Sequence, residues 1–337
     1  MKKVLFALTL LFIATSCKKS EDFPPQEPAP EPIAKITLLP AKLSSVPAVT
    51  QGDINYNLLG YGYDVTGKYD DASSARIAVM DMISFAREKH VEPSMSTSFS
   101  MNSWDGENAE DLALGLSRGS KATEGRKFYG QSIQSAFPGE KPFAEKYIYG
   151  FYSDIIQYKQ LRFYVEKSAS NYLTPQFKSD LQTMNAETLV KKYGTHVLSD
   201  ISLGARLNIV YQGETTAKNR ASVQKAGYDE ALKSIFGRFS GRINDIDSNL
   251  LRPIKSPKVA FDIVGGDPST IQIVETKKGQ WVDLNAWNKS ITIKNSVFIS
   301  ANNLIPLADL IDDITKKAEV EKYLESYLAA NEVKLSK

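Results

Sequence analysis

The chain has 337 residues, of which 42% are hydrophobic and 24% are charged, with a formal net charge of +2. This composition is ordinary for a globular protein and excludes a disordered or fibrous one. Loss of a leader containing Lys2 and Lys3 would leave equal numbers of acidic and basic side chains. No overall charge then directs the chain towards nucleic acid, and we expect no nucleic-acid partner.

The N-terminus predicts a lipoprotein signal peptide over residues 1–16. Lys2 and Lys3 precede an apolar run that is too short to span a bilayer, and Cys17, the only cysteine, follows at the cleavage position. Cys17 resembles the lipidated cysteine of bacterial lipoproteins, although Ala14 stands where these more often have leucine. The alternative is an ordinary secretory peptide with an incidental cysteine. We predict lipidation of Cys17 and anchoring at the bacterial outer membrane, with the protein exposed at the surface or released.

Residues 17–34 are predicted to form a linker rich in proline and glutamate. The linker contains five prolines, which favour an extended and semi-rigid stalk. Glu21 and Asp22 resemble the acidic signal with which Bacteroidetes lipoproteins reach the cell surface. We expect one folded domain over residues 35–337.

The domain begins with a short strand candidate and a helix candidate. Apolar residues predict the strand at 34–39, and apolar positions three and four residues apart predict the helix at 73–89. The spacing then changes to two. Met95, Phe99 and Met101 alternate with small polar residues, which predicts a strand with one apolar face.

Two later strand candidates are unusually long. Residues 146–165 are rich in Tyr, Phe and Ile, and residues 197–211 carry apolar side chains at most odd positions. A strand of about 15 residues spans roughly 50 Å, whereas ordinary strands have about 5 or 6 residues. Gly204 predicts a bend, because glycine otherwise only weakens a strand. Helical spacing is found at 174–194 and at 304–333, and we expect no further recognition domain after the second of these.

A short signature precedes the longest strand candidate. Tyr193, Gly194, Thr195 and His196 are followed by Gly204. This arrangement resembles the signature of the membrane attack complex/perforin (MACPF) superfamily, in which an aromatic-Gly-Thr-His step leads into a pair of glycines.

The rest of the chain resembles the same family in the same order. Three stretches are similar to family elements: 58–67, 147–163, and 285–291 with Trp287 and Ser290. The resemblance extends over roughly residues 50–330 and is greatest to the MACPF lipoproteins of Bacteroidetes. The sequence departs from the family pattern at Ala205, where the second glycine of the pair is expected.

The resemblance implies an α+β fold of the MACPF/cholesterol-dependent-cytolysin type. Such a fold has a bent and twisted four-stranded antiparallel sheet flanked by two helical clusters, one after the first strand and one after the third. The implied function is that of a pore-forming toxin, which oligomerises and inserts the clusters as β-hairpins into a target membrane. Its implied partners are a membrane lipid or surface receptor of the target cell, and further copies of itself. The alternative is a non-lytic adhesion or binding module on the cell surface.

Insertion requires that each cluster suit both a helix and a membrane strand. In the second cluster, residues 215–256, apolar side chains form one stripe at helical spacing. At a spacing of two, a second set of residues shares one face over a length suited to a membrane strand, namely Ile235, Gly237, Phe239, Gly241 and Ile243. These are candidate membrane-inserting residues, although Phe236 breaks the pattern. The alternative is that the cluster is simply an amphipathic helix packed on the sheet.

The first cluster gives a weaker pattern. Met95, Phe99 and Met101 alternate well and are also candidate membrane-inserting residues. A partner strand is difficult to find, because residues 109–120 alternate only at three leucines.

The sequence favours neither an enzyme nor a metal site. It has two histidines and one cysteine, and it lacks the spacings of zinc and phosphate-binding motifs. His196 lies near Ser199 and Asp200, but no nucleophile elbow precedes Ser199. We expect no catalytic residues, metal or cofactor, and we expect His196 to form a hydrogen bond that holds the turn at Gly194.

Overall fold

The computed structural model describes residues 32–40, 42–43, 52–89, 91–138, 141–164, 169–241, 245–277 and 279–337. The predicted signal peptide, Cys17 and the predicted linker apart from residues 32–34 lie outside the described residues. None of the helices in this described part combines the length and the apolar character needed to cross a bilayer.

The described residues form short peripheral strands, four longer central strands and several helices. The strands are β1 Thr37–Leu38, β2 Lys42–Leu43, β3 Tyr61–Tyr63, β4 Ala75–Ala78, β5 Glu92–Ser94, β6 Ser98–Gly106, β7 Tyr147–Arg162, β8 His196–Glu214, β9 Lys255–Val264, β10 Gln272–Thr276, β11 Gly279–Asp283 and β12 Val297–Pro306. The helices are α1 Met82–Glu88, α2 Ala109–Leu116, α3 Gly130–Ala136, α4 Pro175–Thr183, α5 Ala186–Tyr193, α6 Arg220–Ala231, α7 Ser248–Leu251, α8 Asn285–Ser290 and α9 Ile314–Ala330.

Four antiparallel strands, β6 to β9, form the centre of the sheet in chain order. The two long strand predictions are confirmed, because β7 has 16 residues and β8 has 19. Shorter strands enlarge the sheet around them, so that within the described residues it has 10 strands. The central four agree with the antiparallel sheet that the family resemblance implied.

Strand β8 changes one of its neighbours near its middle. Its first half pairs with β12 and its second half with β9. A Cβ added at Gly204 would lie 1.9 Å from the carbonyl oxygen of Ile156 on β7, so only glycine allows this close approach. The pairing of β7 with β8 also shifts between Gln157 and Lys159, and such a bulge bends and twists a strand. A close approach of two strands and a bulge thus lie where the sequence predicted a bend at Gly204.

The sheet separates two hydrophobic cores. Successive side chains of a strand point to opposite faces, and both faces of β7 and β8 are buried along most of their length. Tyr149 and Phe151 of β7 join the core that includes α2, α3 and α9. Ile148 and Tyr152 join the other core, which includes α6 and α8. The long strands therefore contribute side chains to both cores.

Two helix predictions extend too far towards their N-terminal ends. The helix predicted at 73–89 begins only at Met82, because Ala75–Ala78 pairs with β3 as strand β4. Asp81 marks the true start, since its side chain accepts a hydrogen bond from the backbone of Ser84 at 3.0 Å. The helix predicted at 304–333 begins at Ile314, because the preceding residues complete β12 and a short 3₁₀ turn.

The two edges of the central sheet differ. Strand β6 pairs with β7 on its inner side, and its outer side has no strand partner among the described residues. On the far side, β1 and β2 both pair in parallel with β9. The N-terminal part of the domain thus covers the edge of β9, while β6 remains an uncovered edge.

Candidate functional site

Four strand ends lie together at one end of the sheet. Gly106, the last residue of β6, pairs with Tyr149 of β7, and Tyr147 at the start of β7 pairs with Glu214 of β8. Glu214 also pairs with Lys255, the first residue of β9. Two stretches of chain leave and re-enter the sheet here, each between neighbouring antiparallel strands. We name them the first segment (residues 107–146) and the second segment (residues 215–254).

The two segments pack on opposite faces of the sheet. Helices α2 and α3 of the first segment contribute Leu112, Leu116 and Ile133 to one core. Helix α6 of the second segment and the turn of π-helix that follows it, Leu232–Phe236, contribute to the other. The segments have the chain positions that the resemblance implied for the helical clusters.

The first segment is fastened by the end of the chain. The backbone N–H groups of Val333 and Ser336 donate to the carbonyl oxygens of Lys127 and Phe143, at 2.8 and 2.9 Å. The N–H of Leu335 donates to the side chain of Glu110 at 3.0 Å. We name residues 332–337 the C-terminal segment. It connects the helical part of the first segment to the stretch that leads into β7.

The second segment is held mainly by side chains that reach the sheet. Tyr228 of α6 is buried over Gly150 of β7, where an added Cβ would lie 2.5 Å from Tyr228 Cγ. The Tyr228 hydroxyl shares a hydrogen bond of 3.0 Å with Ser103 of β6. Gln224 donates from its side-chain amide to the carbonyl oxygen of Tyr149 at 2.6 Å. Helix α6 is therefore bound to both β6 and β7.

Arg220, the first residue of α6, connects both segments. Its guanidinium donates to the carbonyl oxygens of Glu107 and Glu145, at the two ends of the first segment, with the shorter Glu107 contact at 2.5 Å and the Glu145 contact at 2.9 Å. It also donates to Thr215 at 3.0 Å and to Tyr147 at 2.9 Å. Sequence reasoning missed Arg220, because no motif or spacing distinguishes it from other surface arginines.

The structure separates the candidate residues of the second segment by environment. Ile235 is buried in the π-helical turn, and Gly237 ends that turn with φ 60°, a left-handed conformation that favours glycine. Phe239 is half-buried and Gly241 is exposed, both outside any helix. Ile243 lies outside the described residues. The helical stripe is thus confirmed as far as Phe236, and residues 237–241 beyond it are irregular.

The other candidate residues lie on the uncovered edge of the sheet. Phe99 and Met101 belong to β6, where their side chains are 74% and 49% exposed, and Met95 precedes β6 with 61% exposure. The first segment begins only after this strand. Its leucine-containing stretch forms the buried face of α2 and is not a partner strand.

The signature residues join helix α5 and strand β8 to β3. Tyr193 ends α5 and donates from its hydroxyl to Asp180 at 2.6 Å. Gly194 has φ 82° and lies so close to Tyr63 that an added Cβ would be 2.7 Å from its carbonyl oxygen. Thr195 donates from its hydroxyl to the same carbonyl oxygen at 3.1 Å. The signature therefore holds α5, β8 and β3 together at the end of the sheet opposite to the two segments.

His196 has a structural environment. It is buried beside Thr195, with 2.9 Å between its Nδ1 and Thr195 Oγ1. Burial lowers the pKa of His196 from 6.5 to about 4, so the ring is neutral at pH 7. Ser199 instead accepts a hydrogen bond from Asn303, and Asp200 accepts from Gln160. These partners agree with the expected role of His196 at the start of the strand.

The comparisons with known proteins agree with this architecture. The MAC/Perforin domain family model matches residues 46–336, so the chain belongs to this family. No curated protein sequence matches the chain significantly.

Two solved structures have the same fold. A proposed cell invasion protein with a MAC/Perforin domain from Bacteroides thetaiotaomicron is 18% identical, with a TM-score of 0.65; the match covers 84% of this chain and 63% of that one. GNIP1Aa from Chromobacterium piscinae is 16% identical, with a TM-score of 0.59; the match covers 86% of this chain and 57% of that one. This chain therefore corresponds to less than two thirds of either protein. The predicted MACPF fold is confirmed.

Proposed function

We propose that this protein is a lipid-anchored pore-forming toxin that oligomerises on a target membrane and inserts the first and second segments as β-hairpins. The position of the strand ends is the main observation that supports the proposal. Because each segment connects neighbouring antiparallel strands at the same end of the sheet, unwinding both would lengthen four adjacent strands in register. Each segment is long enough for two membrane strands of about 9 to 11 residues.

The second segment supports the proposal through its residue pattern. Gly237, Phe239 and Gly241 alternate with the polar Arg238 and Ser240, so an extended chain would present one less polar face to lipid there, whereas Phe236 breaks the pattern next to Ile235. In the packed state Ile235 is buried against the sheet. Insertion would exchange this burial for contact with lipid, so the hydrophobic contribution of Ile235 is largely retained.

The uncovered edge at β6 suits assembly with further copies. Unpaired backbone groups of an edge strand can bond to a strand of another chain. The opposite edge, at β9, is covered by β1 and β2, so pairing there would first require their displacement. We propose a homo-oligomer in the active state, with a lipid or receptor of the target cell as the first contact.

The location and chemistry follow the sequence predictions. We propose that lipidated Cys17 anchors the protein at the bacterial outer membrane, where it is exposed or from which it is released. We propose a role without catalysis, which the buried and neutral His196 supports. The fold shared with a proposed cell invasion protein is compatible with action on another cell.

A reversible disulfide between the second segment and the sheet tests the proposal. With Gly150→Cys and Tyr228→Cys, the two Cβ atoms would lie within about 4 Å of each other, because Tyr228 Cγ is only 2.5 Å from the Cβ position at Gly150. Protein lacking residues 1–17 has no other cysteine. We expect dye release from liposomes or target cells to stop when this pair is oxidised and to return with reductant.

The controls are the two single-cysteine variants and the unmodified protein, each with and without reductant. Equal release by the oxidised and reduced pair would contradict insertion of the second segment. No release by the unmodified protein from any target, and no rings in electron micrographs, would favour the adhesion module instead.

A further inference from the structure

Strand β9 is irregular where the second segment returns to the sheet. Gln212 and Glu214 of β8 both pair with β9, with one residue of β8 between them and two residues of β9 between their partners. These two residues are Ser256 and Pro257, and they form a β-bulge. The bulge follows the second segment after a single residue, so it connects that segment to the sheet.

The backbone of Ser256 is strained. Its φ is 45°, in the left-handed region, which is unfavourable for a residue with a side chain and which glycine adopts readily. Bulges with this conformation commonly have glycine at that position. The proline that follows adds to the strain, because its ring favours an extended conformation in the residue before it. Ser256 is exposed, so burial of its own side chain does not offset the strain.

The bulge determines which face of the chain packs on the sheet just before β9. Successive residues of a strand point to opposite faces, so one extra residue reverses the faces of the residues on its far side. With the bulge, Ile254 lies on the face of Tyr211 and belongs to the core that includes α6. The strained conformation therefore places Ile254 in this core.

Ile254 fills a narrow space between the sheet and α6. A Cβ added at Gly213 of β8 would lie 2.8 Å from Ile254 Cγ2, and one added at Gly227 of α6 would lie 2.5 Å from Ile254 Cδ1. Ile254 also lines a cavity of about 270 Å³ beneath the second segment, so the packing around this segment is incomplete. The burial of Ile254 therefore offsets the strain at Ser256 only while the segment is packed.

Without the bulge, the chain before it would pair differently. Lys255 would lie opposite Thr215 instead of Glu214, and Ile254 would move to the other face of the sheet. The pairs of β9 from Lys258 onwards would stay as they are. The left-handed conformation would be lost, because the residues of a regular strand are extended. The packed state thus maintains a register that the backbone by itself does not favour.

We propose that this bulge is a strained register switch, which holds Ile254 in the core while the second segment is packed and is lost when that segment unwinds. Release of the strain at Ser256 favours unwinding. The residues up to Lys255 then pair one position further along the chain that follows β8.

The shift of register also decides which face an inserted hairpin presents. Near its end β8 has apolar residues at odd positions, Ile209 and Tyr211, and polar residues at even positions, Gln212 and Glu214. Phe239 of the second segment also has an odd number. In strands that continue regularly, the bulge would place Phe239 on the even face, whereas the shifted register places it on the odd, apolar face. This consequence rests on the proposed function, whereas the strain and the shift of register do not.

Substitutions at Ser256 test the strain in protein lacking residues 1–17, without a membrane. Ser256→Gly relieves the strain, so hydrogen exchange of α6 through local opening should slow about 2- to 10-fold. Ser256→Val puts a β-branched side chain in the left-handed conformation and should accelerate the same exchange about tenfold. Ser98→Gly, at an exposed position of β6 without a positive φ, is the control and should not slow the exchange of α6.

Pairs of introduced cysteines report the register, because protein lacking residues 1–17 has no other cysteine. Glu214→Cys with Lys255→Cys joins residues that pair in the packed state, and this disulfide should form rapidly. Thr215→Cys with Lys255→Cys joins residues that pair only in the shifted register, so this disulfide should form slowly, as the segment opens. Ser256→Gly should slow the second reaction and Ser256→Val should accelerate it, by the same factors as the exchange.

Unchanged or faster exchange of α6 in Ser256→Gly would refute the strain. The shift of register would be refuted if the Thr215 and Lys255 pair never oxidised, or if its rate did not depend on residue 256. Should Ser256→Val not fold, Ser256→Gly and the cysteine pairs still decide both points. None of these measurements uses vesicles, so a protein that fails to release dye would contradict the proposed function and leave these outcomes unaffected.

Discussion

The first and second segments have equivalent positions between neighbouring strands, but different parts of the molecule fasten them. The C-terminal segment holds the first through backbone hydrogen bonds to Lys127 and Phe143. Side chains hold the second, chiefly Tyr228 over Gly150 and Gln224 on Tyr149. The second segment also lies over a cavity. Equivalent topology therefore does not imply equal resistance to opening, and we expect the second segment to open first.

Deletion of residues 332–337 should have the largest effect, because it should destabilise the first segment much more than the second. It removes the buried side chain of Val333 and the backbone hydrogen bonds of the C-terminal segment. We expect the first segment to lose about 4 kcal/mol of local stability. Hydrogen exchange of α2 and α3 peptides should then accelerate more than that of α6. Deletion of Lys337 alone is the control, and equal acceleration in both segments would contradict the assigned role.

Acid should destabilise the protein at the N-terminal end of β8, which lies away from both segments. Burial lowers the pKa of His196 to about 4, below its usual 6.5, so the unfolded chain binds a proton more readily than the folded one. The contribution of neutral His196 to the free energy of unfolding is therefore fully present above about pH 6.5. It falls by about 3 kcal/mol as the pH decreases to about 4. Urea unfolding of the unmodified protein and His196→Gln at a series of pH values measures this. A slope unchanged by the substitution would assign the acid sensitivity to other groups.

Arg220→Lys should lower the local stability of both segments together. Lysine keeps the charge but cannot reach several carbonyl oxygens in the planar arrangement of a guanidinium. We expect a loss of about 1 to 3 kcal/mol, with faster exchange at the start of α6 and at both ends of the first segment. Lys218→Gln, at a neighbouring exposed position, is the control. Faster exchange in α6 alone would show that Arg220 does not connect the segments.

The smallest effect on stability is expected at the uncovered edge. Phe99→Ser changes a side chain that is 74% exposed, so the free energy of unfolding should change by less than about 0.5 kcal/mol. Sedimentation with liposomes should nevertheless decrease if this edge contacts lipid. Ile314→Ser, at a position that is 84% exposed on α9, is the matched control. Equal decreases in both variants would indicate general apolar adsorption.

The sequence predicted those features of the fold that depend on local pattern. Strands β7 and β8 were recognisable because their apolar residues continue for far longer than in an ordinary strand. An irregularity at Gly204 was predictable from the presence of glycine inside such a strand, and a bulge lies opposite it. The start of α1 was not predictable by spacing, because pairing with β3 makes Ala75–Ala78 a strand. Local pattern alone cannot reveal such a tertiary contact.

The candidate site was predicted less completely. The position of the second segment and the burial of Ile235 agreed with the helical pattern, whereas Phe99 and Met101 lie in a strand that precedes the first segment. Arg220 was missed, because its role depends on carbonyl oxygens that distant parts of the chain bring together. Such roles leave no signal in residue spacing.

The C-terminal segment also determines when the first segment can be completed during folding. Glu110 and Leu335, which its backbone joins, are 225 positions apart in the chain. Contacts between such distant residues form slowly, and these cannot form before residues 333–336 have been synthesised. The apolar core around the first segment therefore remains incomplete until Val333 has been added to the chain.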